Sequence, residues 1–172
     1  ENNWDEVVRF TRRDRDRLER WAGSKFSNDF KKRDVIVKTL MSGDNLNDVL
    51  SSRIKRLYEN STEHYSAISI ANKQPTIEFR IFRSTLDYKT AVASLQFVRN
   101  MVEYSIENSV KIIHMLDSLN KADGEAKAEM RSELTGLIAD ILTGSLDTIY
   151  NYNDSDDFAI LKEYANNLKG DK

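Results

Sequence analysis

A chain of 172 residues, 40% hydrophobic and 31% charged, is long enough to close one core and too apolar to remain disordered. Having no cysteine, it has no disulfide framework and no thiolate nucleophile or metal site, and no apolar run reaches the roughly 20 residues that span a bilayer. The net charge is only −2, but bases crowd residues 9–33 while acids collect toward the C-terminus, and a single proline with six glycines leaves room for long helices.

Residues 4–23 read as one or two short helices, with Trp4, Val7, Val8 and Phe10 in one apolar stripe and Leu18 with Trp21 in a second. Asp14, Asp16 and Glu19 stand among the arginines of this segment at pairing distance along a helix, so it reads first as a solvated face and second as a nucleic-acid-binding end. Asp29 is placed to cap a helix through Leu40, and Asp44 to cap another through the apolar positions Leu46, Val49, Leu50, Ile54, Leu57 and Tyr58. The period then changes to two. Residues 65–71 and 76–84 are rich in Ile, Phe, Tyr and Thr and flank the only proline, Pro75, so they are expected to pair as an antiparallel hairpin. From Asp87, a helix cap, the helical period returns without a breaker for over thirty residues, with Ala91, Leu95, Val98, Val102, Ile106, Val110, Ile113 and Leu116 at steps of three or four, as one long helix or two nearly collinear ones. A hinge around Gly124 leads to an amphipathic helix carrying Met130, Leu134, Leu137, Ile138, Ile141 and Leu142, and a last helix covers roughly residues 156–168. The expected fold is α+β, mainly helical with a small antiparallel sheet, divided into residues 1–120 and a helical extension, 121–172. Two strands alone are marginal in water, and the chain opens on Glu1, so it is expected to be part of a longer protein.

Chemistry is most concentrated in the second strand, PTIEFRIFRSTL. Alternation puts Thr76, Glu78, Arg80, Phe82 and Ser84 on one face, with Glu78 and Arg80 about 7 Å apart. A carboxylate suits Mg²⁺, and a guanidinium grips phosphoryl oxygens with two hydrogen bonds and a permanent charge. On spacing alone, a surface ion pair on an exposed sheet face is the favoured reading. His64 and His114 lack any metal-binding spacing, Asp154, Asp156 and Asp157 read as a helix-capping loop, and Met101, Met115 and Met130 read as core.

The run HYSAISI, a short gap and TIEFRIFRSTL followed by a long helix resemble the C-terminal motif block of the amidoligase family, whose members belong among the glutamine synthetase-like carboxylate–amine ligases. The resemblance covers residues 4–103 and is specific across residues 65–86. It implies Glu78 as a metal ligand, Arg80 and Arg83 as catalytic cations, and Tyr65 and Ser69 as substrate contacts. It also implies ATP and Mg²⁺ as cofactors, carboxylate and amine substrates, either small molecules or peptides, and an N-terminal half of the same protein as partner. His64, Ser69 and Ser84 depart from the family's usual Arg, Asn and Gly. The function expected on this resemblance is ATP-dependent amide-bond formation through an acyl phosphate, by a bacterial or phage enzyme of the cytoplasm that needs its missing half. The alternative is a non-catalytic, phage-type accessory protein that binds nucleic acid through its basic helices or a protein through its acidic ones. Self-association is left open.

Overall fold

The computed structural model describes residues 4–21, 68–69 and 76–170. The expected helices at 29–40 and 44–60, and residues His64 and Tyr65, lie outside these. Within them the chain is mostly helical, and no helix is long and apolar enough to cross a membrane.

The basic N-terminal segment makes two helices, α1 (Trp4–Thr11) and α2 (Arg15–Trp21). The break between them has a local cause. Arg12 takes φ 51°, a left-handed conformation seldom adopted by a side-chain-bearing residue, and its N–H turns back to Arg9 O. The Asp14 carboxylate then accepts from the Arg17 N–H at 3.1 Å and starts α2. Phe10 and Leu18 point inward from the two helices.

The second strand is far shorter than the alternating run 76–84 predicts. Strand β1 (Ile68–Ser69) pairs antiparallel with β2 (Glu78–Phe79), with Ile68 opposite Phe79 and Ser69 opposite Glu78. The expected sheet is thus corrected to a two-residue ribbon among the described residues. Beyond Phe79 the chain leaves the ladder because its partners lie elsewhere. Ile81 is buried in the helical core, and the Phe82 carbonyl accepts from Arg13 Nε and Nη2 at 3.0 and 2.7 Å.

Helix α3 (Tyr88–Lys121) spans about 51 Å. It starts where Asp87 predicts, with that carboxylate accepting from the Thr90 N–H at 2.8 Å. Gly124, at φ 59°, begins α4 (Gly124–Thr143), which runs back along α3 and traps Leu119, Leu134 and Ile138 between the two helices. Met115 and Met130 pack against this cluster, as expected of core methionines. A short helix that the periodicity did not single out, α5 (Leu146–Tyr150), turns Leu146, Ile149 and Tyr150 inward. A 3₁₀ turn (Asp156–Phe158) leads into α6 (Ala159–Gly170), whose Leu161, Tyr164 and Ala165 are buried.

The main core is an aromatic nest drawn from both ends of the chain. Phe10 lies 4.7 Å from Phe97, 5.4 Å from Tyr150 and 5.3 Å from Tyr164, measured between ring centres. Residues on both sides of position 120 share it. Buried polar groups tie the layers together: Asn100 Nδ2 donates to Ile149 O at 2.8 Å, Gln96 Oε1 accepts from the Leu161 N–H at 2.8 Å, and the Tyr164 hydroxyl donates to Phe10 O at 3.1 Å.

The aliphatic spacing along α3 does not mark the face it turns to the nest. The residues facing the nest are Ala93, Phe97, Asn100 and Met101, whereas Leu95, Ile106, Val110 and Ile113 are 71%, 59%, 46% and 62% exposed. The helix is apolar on two opposite faces. The periodicity picked the richer aliphatic one, while bulky aromatic packing claimed the other.

Candidate functional site

Glu78 sits on β2 and Arg80 one residue beyond it, and both side chains project to the same side of the ribbon, as strand alternation requires. Arg80 Nη2 lies 2.8 Å from Glu78 Oε2, with the carboxylate 47% and the guanidinium 18% exposed. This is a charge-assisted contact in which the arginine is more enclosed than its partner. The hydrogen bond to Glu78 raises the Arg80 pKa above its ordinary value against the opposing effect of burial. The carboxylate faces solvent and is reachable by a ligand.

Arg83 does not join this pair. It lines an open recess of about 310 Å³ formed by the loop after β2 and the first turns of α3, together with Phe82, Thr85, Ala91, Ser94, Leu95 and Val98. Neither Glu78 nor Arg80 lines it. Ser69 pairs with Glu78 across the ribbon through the backbone, and Tyr65 lies outside the described residues. The structure therefore brings Glu78 and Arg80 together, aligns Ser69 in register with Glu78, and sets Arg83 at a second location.

As for metal, Glu78 offers one carboxylate of the kind Mg²⁺ accepts. Among the described residues no three histidines, aspartates or glutamates come together. A complete cation site at Glu78 would need oxygen ligands from beyond these residues. Of the other acids weighed, Asp154 is paired with Lys162, while Asp156 and Asp157 occupy the first turn of the 3₁₀ helix. His114 is exposed on α3.

Three of the arginines in the described N-terminal segment are engaged within the fold. Arg13 holds the Phe82 carbonyl, the Arg12 guanidinium lies 5.1 Å above the Tyr164 ring, and Arg15 pairs with Asp5 and Glu19. The Arg13 link joins residues 69 positions apart, and nothing in helical or strand periodicity signals it.

Compared with known proteins, the chain matches no family model, no curated protein and no solved structure.

Proposed function

We propose that this chain is the C-terminal portion of an ATP- and Mg²⁺-dependent carboxylate–amine ligase, with a fold related to the glutamine synthetase-like ligases. The reading rests on one observation: an exposed carboxylate and a partly enclosed guanidinium, 2.8 Å apart, leave a β-ribbon on the same side within the motif TIEFRIFRSTL. The charges of Glu78 and Arg80 offset each other at 2.8 Å. A phosphoryl group accompanied by a divalent cation would let each side chain exchange its partner, Glu78 for the cation and Arg80 for phosphoryl oxygens, with little net change in local charge. Mg²⁺, when bound, would supply charge neutralisation to the transferring phosphoryl group. Arg80 would orient that group and Ser69 would border it across the ribbon. The acid and amine would enter from the part contributed by the N-terminal half.

The test is amine-dependent ATP turnover by the protein with its N-terminal half. Glu78→Ala should lower turnover by about 100-fold, the scale seen when a metal site loses a supporting group, with an unchanged circular dichroism spectrum. Turnover equal to that of the parent would remove Glu78 from the chemistry.

A second reading, a non-catalytic module that binds a protein, draws on the outward apolar face of α3. The arginines engaged within the fold favour a protein over nucleic acid as its partner. Binding to duplex DNA that falls steeply with added salt would reverse that preference.

A further inference from the structure

We propose that the outward face of α3 is a self-association surface, on which a second copy of this chain packs its own α3 antiparallel. The surface uses neither Glu78 nor Arg80, so it holds whether or not the chain is a ligase. Leu95, Ile106, Val110 and Ile113 are exposed along this face, and Val102 is half-buried among them. From Leu95 to Ile113 the stripe runs about 27 Å. An apolar stripe of that length is more than scattered surface hydrophobics and marks an interaction surface. The charges beside it are already offset within the chain. Arg99 Nε donates to Glu103 Oε1 at 2.8 Å and its guanidinium lies 5.3 Å over the Phe158 ring, while Lys121 Nζ pairs with Asp117 at 2.6 Å. The stripe thus offers no excess of either charge, and it fits a partner that is itself aliphatic.

The order of residues selects a second copy as that partner. A two-fold interface must be complementary to itself, and this stripe is. The span from Leu95 to Ile113 is centred on residue 104, and α3 as a whole is centred between residues 104 and 105. A second α3 laid antiparallel about that centre overlaps the first along its full length. It sets Leu95 opposite Ile113 of the second copy and Val102 opposite Ile106, aliphatic on aliphatic at both ends and in the middle. The two polar positions in the same heptad spacing, Arg99 and Ser109, fall level with each other. A parallel copy would instead bring the two Arg99 residues together and align the helix dipoles, and both cost energy. Antiparallel packing also places the basic last turn, at Lys121, beside the start of the other helix, which Asp87 caps.

Sedimentation equilibrium of the whole chain tests the association. The mass should rise with concentration from the 19.9 kDa of one chain toward twice that value. In the dilute single chain these side chains stand bare, so substitutions among them act on association and leave the fold in place. Ile106→Lys should raise the dissociation constant at least tenfold, with the circular dichroism spectrum of the parent. Orientation has its own readout, because the chain has no cysteine to compete with introduced ones. Leu95→Cys mixed with Ile113→Cys should form a disulfide between the two variants on mild oxidation, at least tenfold faster than Leu95→Cys with itself. Antiparallel packing holds the two copies of position 95 about 27 Å apart, beyond the reach of a disulfide. Three results would each overturn the proposal: the mass of one chain at every concentration, an Ile106→Lys variant that associates like the parent, or Leu95→Cys that cross-links to itself as fast as to Ile113→Cys. The first would leave the face to a different protein. None of these readouts involves ATP turnover at Glu78, so the ligase reading and this one stand or fall separately.

Discussion

At the level of single side chains, small polar groups do much of the positioning. Asp87 starts α3, and the Thr90 hydroxyl followed by the Thr90 N–H holds its carboxyl below the usual carboxylate range. A folded pKa below the unfolded one means that this cap stabilises the protein above the unfolded value, about 3.9, and is lost as pH falls through the folded value. Asn at this position still caps but does not titrate. The advantage of the parent over Asp87→Asn, read as a difference in melting temperature, should therefore be widest near neutrality and shrink below about pH 4. A difference that stays constant down to pH 2 would show that the carboxylate's charge does not matter there. Tyr150 follows the opposite logic. Burial, with Glu6 and Asp147 nearby, pushes its phenol pKa upward, so it stays a neutral member of the aromatic nest.

At the level of elements, α3 is the part most easily misread. Its aliphatic positions recur every three or four residues and mark one face, yet Phe97, Asn100 and Met101 on the other face meet the nest. Two apolar stripes on one helix cannot be ranked by spacing alone, because which is buried depends on what the rest of the chain brings up to it. Ile106→Gln, at a residue 59% exposed, should change stability by no more than about 0.5 kcal/mol. Phe97→Ala, at a residue 1% exposed, should cost about 3–5 kcal/mol. Urea denaturation of the two variants would check the assignment, and a large loss for Ile106→Gln would mean that the outward face is covered in solution. The hairpin shows the reverse limitation. Alternation was legible in residues 76–84, but the claims of Arg13 on Phe82 O and of the core on Ile81 come from distant residues and end the ladder after Phe79.

At the level of the whole molecule, α3 carries two separate hydrophobic clusters. The aromatic nest surrounds its first half, and Leu119, Leu134 and Ile138 close its far end against α4. Leu134→Ala should cost about 2–5 kcal/mol locally. Its effect on hydrogen exchange should concentrate in α4 and the last turns of α3, leaving amides around Phe97 and Leu161 protected. Uniform loss of protection would show that the two clusters open together. The helices at both ends and the cap at Asp87 could be read in advance because their signals lie within a few residues of each other. The pairing of Glu78 with Arg80 was legible for the same reason, since alternation is local. The separation of Arg83 from that pair was not, because it depends on how the loop after β2 settles against α3.

The meeting of Phe10 with Tyr164, sealed by a hydroxyl-to-carbonyl bond across 154 positions, bears on how the protein is made. On the ribosome, Phe10 is made 154 residues before Tyr164 and cannot be fully covered until α6 has been translated. During that interval, an aromatic side chain of the eventual core is open to other contacts.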